Sequence, residues 1–234
     1  MMQAHSPTAA FDVVVFDVLG TMVDEPGGHR TAIREAAPGL DDASLDRLVK
    51  LRQDHVESEQ HRIGAGCRTY ANTDVIDREA AQLVAEYAGR SDPAIIERLA
   101  TAGQRLEPWH DSPAELARLA ECLPVLGLSN ASRAALLRLN AHAGLRWHAA
   151  LSAEDAKAYK PAAEVYHLAI DAAGCPPERI LMIAAHAWDL RAAKATGMRT
   201  AYVPRPVGDR PTSDDTFDFH ASSLHGLINA LTRA

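Results

Sequence analysis

A short apolar run that ends in a carboxylate constrains the fold of this chain more than any other feature. Residues 13–16 read VVVF, Asp17 follows directly, and Gly20 and Thr21 come shortly after it. A continuous apolar run of this kind is typical of a strand buried on both faces of a parallel sheet. Open α/β sheets bind their ligands at the carboxyl ends of such strands. Asp17 is therefore either a functional carboxylate or an ordinary strand-end residue that accepts N–H bonds from its loop.

Apolar runs alternate with helical segments in the second half of the chain. We predict a helix from residue 113 to 120, and then strands at 123–129, 148–153, 180–185 and 199–204, with an edge strand at 217–221. Helices are predicted between and after them, at 132–142, 162–173, 187–196 and 222–232. Strands that alternate with helices require right-handed crossovers and a parallel sheet. The expected fold class is therefore α/β, with a Rossmann-like parallel sheet as its core.

Residues 25–104 interrupt this alternation with helical segments and no convincing strand. Helices are predicted at 27–39, 41–62, 74–89 and 92–103, with a loop at 63–73. We therefore expect a core formed by residues 1–24 and 105–234, and a helical cap formed by residues 25–104. Because the cap follows the first strand, it is well placed to cover the carboxyl edge of the sheet.

Arg52 lies on the apolar side of the long predicted helix in this cap. The apolar positions of that helix are Leu45, Leu48, Val49 and Val56. Arg52 has no acidic residue three or four positions away that would pair with it along the helix. It must then find an anion elsewhere, unless its side chain runs along the edge of the apolar stripe with its charge in water.

The composition narrows the class of protein. The chain has 234 residues, of which 47% are hydrophobic, and a formal net charge of −7, which argues against a general nucleic-acid binder. A small anionic substrate remains possible, because the field inside a pocket is local. Cys67, Cys122 and Cys175 show no metal-ligand spacing and indicate reduced thiols in the cytoplasm. The first ten residues do not resemble a signal peptide, and no apolar run approaches the length of a membrane span.

Polar residues recur at the ends of the predicted strands. Thr21 follows Asp17, and the later positions are Ser129, Asn130, Lys160 and Asp189. This order resembles the haloacid dehalogenase superfamily, in which an aspartate nucleophile, a Ser or Thr, a Lys and an acidic motif face a common pocket. The resemblance covers nearly the whole chain, including the helical cap, and implies that fold.

The phosphatases of that superfamily carry two features that this chain lacks. They have a second aspartate two residues after the nucleophile, where this chain has Leu19, and a motif resembling G-D-x-x-x-D, where residues 184–189 read AAHAWD. Magnesium requires several oxygen ligands in a near-octahedral array. The acid that would protonate a leaving alcohol is missing as well. A magnesium-dependent phosphatase is therefore disfavoured, and we expect neither a metal nor a cofactor.

The remaining motifs are similar to those of the L-2-haloacid dehalogenases, which use no metal. They are SNAS at 129–132, YKPAAEVY at 159–166 and HAWD at 186–189. A halide leaves as a stable anion and needs no proton, so the loss of the acid at position 19 does not impede its departure. The resemblance implies hydrolysis of a small 2-haloalkanoic acid to a 2-hydroxy acid, with that anion and water as the binding partners. We expect the protein to form a homodimer. We expect it to bind neither a nucleic acid nor a membrane.

The resemblance also implies roles for individual residues. Asp17 would attack the halogen-bearing carbon to give an ester intermediate. Lys160 would keep Asp17 ionised, and Thr21 would fix the orientation of its carboxylate. Asp189 would orient or activate the hydrolytic water, or pair with Lys160. Tyr166 would steady Lys160 or the substrate, unless it is simply a packed helix residue.

The groups that bind the substrate follow in the same way. Ser129, with the backbone N–H groups of Val18 and Leu19, would bind the substrate carboxylate. Arg52 from the cap and Asn130 would stabilise the departing halide.

Three positions depart from the common residues of these dehalogenases. Ala184 and His186 stand where Ser and Asn are common, and Leu19 where Tyr is common. His186 would orient the hydrolytic water as a neutral imidazole, stabilise a leaving anion as an imidazolium, or serve only as a helix-start residue. These departures leave open which halogen the substrate carries. They also leave open a related reaction, the opening of a strained cyclic amino acid such as azetidine-2-carboxylate, and a non-catalytic binding role.

Overall fold

Six parallel strands form the centre of the molecule, which we describe from a computed structural model covering residues 11–232. The strands are β1 (Val13–Asp17), β2 (Val125–Ser129), β3 (Ala149–Ser152), β4 (Ile180–Ala184), β5 (Arg199–Tyr202) and β6 (Phe219–His220). Their order in the sheet is β3-β2-β1-β4-β5-β6, and every neighbouring pair is parallel. The predicted parallel sheet is confirmed. The segment whose composition argued against a signal peptide, residues 1–10, lies outside the described residues.

Helices cover both faces of this sheet and form a separate layer at its carboxyl edge. They are α1 (Glu25–Ala36), α2 (Asp42–Gly64), α3 (Thr73–Tyr87), α4 (Pro93–Ala100), α5 (Ser112–Ala120), α6 (Arg133–His142), α7 (Ala163–Ala173), α8 (Ala187–Ala195) and α9 (Leu224–Thr232). The fold class expected from the sequence, a Rossmann-like sheet with an inserted helical cap, is confirmed. None of the helices in residues 11–232 is both long enough and apolar enough to cross a membrane.

The two faces of the sheet are buried by alternate residues of each strand, as the pleat of a β-strand requires. Val14 and Phe16 of β1 face a cluster that includes Leu116 of α5, Leu136 of α6 and Ile228 of α9. On the other face, Val13 and Val15 pack with Val165 of α7 and Leu190 of α8. Burial on both faces explains why the strands read as continuous apolar runs rather than as alternating patterns.

The cap helices α1–α4 pack around an apolar cluster of their own. Its members include Ile33, Leu45, Val84 and Leu99. This cluster is separate from the two that cover the sheet, as expected for an inserted layer. The division at residues 24/25 and 104/105 stays a prediction.

The first two cap helices differ at their ends from the sequence prediction. Helix α1 begins at Glu25 rather than at residue 27, because the Asp24 side chain caps it by accepting a hydrogen bond from the Gly27 N–H at 3.0 Å. Helix α2 continues through Gly64, which the sequence suggested as a breaker, and the chain turns only at Gly66, with φ of 71°. A single glycine lowers helix stability modestly, so the packing of a long helix overrides it.

Hydrogen bonds fasten the start of α3 to the core. The backbone N–H of Ser132 donates to Thr73 Oγ1 at 2.7 Å, and the Ser132 hydroxyl donates to Asp74 Oδ1 at 2.7 Å. The Tyr159 hydroxyl donates to the Ala71 carbonyl at 2.7 Å. The cap is therefore tied directly to the loops that follow β2 and β3.

Candidate active site

Asp17 ends the central strand β1, at the point where the sheet topology creates a crevice. Strand β1 lies between β2 and β4, and the connections from these strands run outward in opposite directions along the sheet. Ligands of open α/β sheets bind outside the carboxyl ends of the strands at such a switch point. Asp17 is 6% exposed and lines a cleft there, so the structure places it where a functional carboxylate belongs.

Two hydrogen bonds hold the Asp17 carboxylate in one orientation. The Thr21 hydroxyl donates to Oδ2 at 2.6 Å, and the Lys160 ammonium donates to Oδ1 at 2.8 Å. Thr21 Oγ1 is itself fixed, because it accepts the backbone N–H of Ala185 at 2.9 Å. An ionised carboxylate has about four lone-pair positions, so each oxygen keeps electrons for attack on a substrate.

Lys160 bridges two carboxylates at the bottom of this site. Its Nζ lies 2.8 Å from Asp17 Oδ1 and 2.8 Å from Asp189 Oδ2. Burial alone would lower the pKa of Lys160, but the two carboxylate charges and their hydrogen bonds outweigh it and raise that pKa. The ammonium is therefore charged whenever the protein is folded near neutral pH.

Asp189 and Tyr166 lie behind Lys160 rather than in the cleft. Asp189 is fully buried in α8, and the Tyr166 hydroxyl donates to its Oδ1 at 2.5 Å. Burial raises the pKa of Asp189, and the charge of Lys160 opposes that effect. The predicted pairing of Asp189 with Lys160 is confirmed. Of the possibilities left open for Tyr166, a packed helix residue agrees with the structure, because its hydroxyl binds Asp189 rather than Lys160 and the fully buried ring does not line the cleft.

Ser129 and Asn130 also differ in their access to the cleft. Ser129 is fully buried, and its Oγ accepts the backbone N–H of Ala131 at 3.1 Å. Asn130 lines the cleft, and its Oδ1 accepts the Lys160 backbone N–H at 2.8 Å. That bond orients the amide and leaves its NH₂ group as the donor. Of the predicted groups for the substrate carboxylate, Leu19 lines the cleft, whereas Ser129 and Val18 lie beneath its surface.

The cleft lies between the sheet edge and the first two cap helices, and its volume is about 420 Å³. The core contributes Asp17, Leu19, Gly20, Asn130, Lys160, His186, Trp188, Val207, Gly208 and Asp209. The cap contributes Glu25, Pro26, His29, Val49, Arg52, Gln53, Val56, Glu57 and Gln60. This volume is ordinary for a site that binds a small molecule.

Arg52 reaches the cleft from α2, and its anion is Asp77 of α3. One guanidinium nitrogen donates to Asp77 Oδ1 at 2.6 Å, and both side chains are largely buried. Burial raises the pKa of Asp77, and the charge of Arg52 opposes that effect. The prediction that Arg52 finds an anion away from its own helix turn is confirmed. The guanidinium has five N–H donors, so the pair with Asp77 leaves donors for an anion in the cleft.

His186 lies against Gly20 on the core side of the cleft. A Cβ atom at Gly20 would come within 2.5 Å of His186 Nε2, and Gly20 has φ of 76°. A residue with a side chain at position 20 would therefore adopt a strained backbone conformation and would have to displace the imidazole. The other ring nitrogen, Nδ1, lies 3.5 Å from Asp209 Oδ1.

A second set of residues supports the loop that follows β1. The indole N–H of Trp109 donates to the Gly20 carbonyl at 3.0 Å, and Arg205 Nε donates to the Thr21 carbonyl at 2.8 Å. Arg205 also pairs with Asp111 at 2.7 Å. These bonds fix the backbone at Gly20 and Thr21, and with it the position of the Thr21 hydroxyl.

Five charged or titratable residues near the cleft were not singled out from the sequence. They are Glu25, His29, Glu57, Asp77 and Asp209. For Glu25 and His29 a signal was present, since Asp24 followed by Glu25-Pro26 is a typical helix start and places them one turn apart on α1. For Asp77 and Asp209 no local pattern points to the cleft.

The donor set of the site contains little that would hold a metal. Within residues 11–232, no group of three or more His, Cys, Asp or Glu side chains is arranged to hold a metal ion. Asp17 and Asp189 instead share the Lys160 ammonium as their counter-charge.

Comparisons with known proteins agree with this geometry. The sequence matches a family described as haloacid dehalogenase-like hydrolase over residues 11–197. An (S)-2-haloacid dehalogenase of Pseudomonas putida is 31% identical over 199 residues, which are 83% of this chain and 85% of that enzyme. A crystal structure of an L-2-haloacid dehalogenase has 29% identity and a TM-score of 0.84, covering 94% of this chain and 99% of that chain. A defluorinating L-2-haloacid dehalogenase has 28% identity and a TM-score of 0.85, covering 97% and 98%. The chain therefore belongs to the haloacid dehalogenase-like hydrolase family.

Proposed function

We propose that the protein hydrolyses a small 2-haloalkanoic acid to the corresponding 2-hydroxy acid, without a metal, through an ester on Asp17. The observation on which this rests is the Asp17 carboxylate, held by Thr21 and Lys160 and facing a cleft with cationic and amide donors. The names of the (S)-2-haloacid and L-2-haloacid dehalogenases that it resembles support the same reaction class.

In the first step an oxygen of Asp17 attacks the α-carbon and the halide leaves with the bonding electrons. The remaining N–H donors of Arg52 and the NH₂ group of Asn130 stabilise the charge that develops on the halide. Lys160 keeps the nucleophile ionised, and Asp189 acts as a positioning residue for Lys160, with Tyr166 behind it.

In the second step water attacks the Asp17 carbonyl carbon, and the bond between that carbon and the ester oxygen breaks. The product keeps the former Asp17 oxygen, which takes one proton of the water to become its hydroxyl. The water oxygen enters Asp17, and the second proton passes to solvent. His186 lines the cleft beside Gly20, so we assign it to orienting this water, with Asp209 near its other nitrogen.

The substrate carboxylate binds at the end of β1 and β2, next to Leu19 and Asn130. The backbone N–H group of Leu19 is the proposed donor; Val18 and Ser129 lie beneath the cleft surface, and their part in binding stays a prediction. We also propose that the protein acts in the cytoplasm, which its three free thiols favour, and as a homodimer, which light scattering would measure.

A single-turnover reaction in heavy-oxygen water tests the covalent step. With 2-chloropropanoate and excess enzyme, the label is expected first in the Asp17 carboxylate and only in later turnovers in lactate. Asp17→Asn is expected to abolish turnover and to retain the fold. Asp12→Asn is the matched control, because Asp12 is an exposed carboxylate just before the same strand, paired with Arg179. Label that enters lactate in the first turnover would show direct attack by water and contradict the proposal.

A further inference from the structure

A buried imidazole lines the cleft on the side opposite the nucleophile, and the mechanism above does not use it. His29 of α1 is 3% exposed, and its Nε2 has no hydrogen-bond partner among the described residues. A buried polar nitrogen without a partner costs free energy, so such groups in folded proteins generally have one. Burial, and then the charge of Arg52, lower the pKa of His29 well below its ordinary value, so the imidazole is neutral.

A carboxylate lies one helical turn away from this imidazole. Glu25 Oε1 is 3.9 Å from His29 Nε2, which is longer than a hydrogen bond, and the Glu25 side chain is 33% exposed. Both residues line the cleft. At this separation a single ligand atom has room to contact both groups at ordinary hydrogen-bond distances.

The charges of the cleft favour a donor at this position. Its lining contains the carboxyl groups of Asp17, Glu25, Glu57 and Asp209, against the cations of Arg52 and Lys160. Burial raises the pKa of Glu25 and the charge of Arg52 opposes that effect, so a further cation beside Glu25 would favour its ionised form. Each cation is already paired with a further carboxylate, Asp77 or Asp189. A substituent without a hydrogen-bond donor leaves Glu25 and His29 Nε2 without a new partner on the α1 side. A substituent that donates hydrogen bonds, above all an ammonium group, would offset the excess.

We propose that Glu25 and His29 form a second polar subsite, which binds a hydrogen-bond donor on the substrate beyond its α-carbon. This inference rests on the proposed function and deepens it. The preferred substrates are 2-haloacids that carry an amino or hydroxyl substituent on the next carbon, rather than simple alkyl 2-haloacids. Glu25 accepts a hydrogen bond from the N–H or O–H group of the substituent. The Nε2 atom of His29 makes a second hydrogen bond with the same substituent. The two residues determine specificity and take no part in the bond changes at the α-carbon.

Product binding tests the subsite without requiring turnover. Calorimetry would compare lactate, glycerate and 3-amino-2-hydroxypropanoate, which share the 2-hydroxy acid unit and differ only in the substituent on the third carbon. We expect 3-amino-2-hydroxypropanoate to bind at least about tenfold more tightly than lactate, the gain expected for one hydrogen bond to a charged group. A similar gain for glycerate would show that a hydroxyl group is sufficient as the donor. A gain confined to 3-amino-2-hydroxypropanoate would show that an ammonium group is required.

Variants distinguish the subsite from general charge effects. Glu25→Gln is expected to bring the affinity ratio of 3-amino-2-hydroxypropanoate to lactate close to one, and His29→Gln to lower it. Glu57→Gln is the matched control, because it removes a carboxylate from the same cleft outside the Glu25–His29 pair, and it should lower the ratio much less than Glu25→Gln does. Equal binding of all three acids by the wild type would overturn the proposal, as would an equal loss for all three in Glu25→Gln. Failure of the Asp17 labelling experiment would overturn the proposed reaction alone, since the binding ratio does not depend on it.

Discussion

The ammonium of Lys160 stays charged inside the protein because two carboxylates contact it. A buried ion is stable only when its partners compensate the lost hydration, and Asp17 and Asp189 do so at 2.8 Å each. The same contacts orient Asp17 toward the cleft. A neutral residue at position 160 would leave two carboxylates buried side by side without a counter-charge, so this position serves both the fold and the chemistry.

His29 should make the stability of the folded protein depend on pH. Its pKa is lowered in the folded state, so below its ordinary value the unfolded chain binds a proton that the folded chain does not. Stability is therefore complete above about pH 6.5 and is lost as the pH falls toward the lowered pKa. Between pH 6.5 and 5.5 the wild type should lose about 1 kcal/mol more free energy of unfolding than His29→Gln.

Urea denaturation at pH 7.5, 6.5 and 5.5 would measure this difference. His61→Gln is the control, because His61 is an exposed histidine on α2 and should follow the wild type. Parallel pH curves for the wild type and His29→Gln would show that His29 protonates equally in both states.

At the scale of secondary-structure elements, the pairing of α2 with α3 sets the position of Arg52. Asp77 of α3 holds one guanidinium nitrogen, which directs the planar group and its remaining donors. A lysine has a single ammonium group and does not reproduce this planar fork. The geometry of the proposed halide site therefore depends on the contact between two helices.

Arg52→Lys should slow the displacement step about 100-fold, the order of loss when one charge-stabilising donor is removed. Rapid-quench measurement of ester formation on Asp17 would report this step separately from hydrolysis. Arg47→Lys is the matched control, since Arg47 is exposed on the same helix. Unchanged ester formation in Arg52→Ala would make Arg52 a packing residue.

The loop after β1 depends on a buried ion pair contributed by two distant segments. Arg205 and Asp111 pair at 2.7 Å with both side chains largely buried, and Arg205 also holds the Thr21 carbonyl. Arg205→Met should destabilise the protein by about 3–5 kcal/mol, because it leaves Asp111 buried and unpaired. Adding Asp111→Asn should recover part of that loss.

Thermal or urea denaturation would measure both variants. Lys50→Met removes the exposed pair with Asp54 and should cost less than about 1 kcal/mol. An Arg205→Met variant as stable as Lys50→Met would show that the ion pair contributes little to the fold.

At the scale of the whole molecule, the site is assembled from both layers. The core brings the proposed nucleophile and its counter-charge, and the cap brings Arg52 and the proposed subsite of Glu25 and His29. The bonds between Ser132 and the start of α3 tie these layers together at the edge of the cleft. Any change that moves the cap relative to the sheet should therefore alter the halide and substituent contacts together.

Turnover of 2-chloropropanoate should survive exhaustive treatment with a chelator. The reason is that Lys160 already supplies the positive charge between Asp17 and Asp189, and Leu19 stands where a phosphatase has its general acid. Halide release before and after chelation would measure this, with p-nitrophenyl phosphate as a comparison substrate. Loss of activity that returns with magnesium would contradict the proposed metal-independent reaction. Phosphate release at ordinary enzyme rates would contradict it as well.

Local patterns in the sequence were sufficient to predict the sheet, most helices and the strand-end positions of the site. Strands β1, β2 and β4 are continuous apolar runs because both faces of the sheet are covered, and that signal is visible without knowledge of the fold. Asp17, Asn130 and Lys160 could be named in advance because parallel strands bring their carboxyl ends to one edge.

Contacts between distant segments were decided by the tertiary structure. Asp77 lies 25 residues from Arg52, and only the packing of α2 on α3 brings the two together. Tyr166 and Asp189 carry side chains suited to a cleft, but the packing of α7 and α8 on the sheet places both behind Lys160. The sequence thus determined which chemical groups reach the sheet edge, since periodicity and capping are local. Which of them face the cleft depends on side-chain direction and burial, and these exist only once the helices pack.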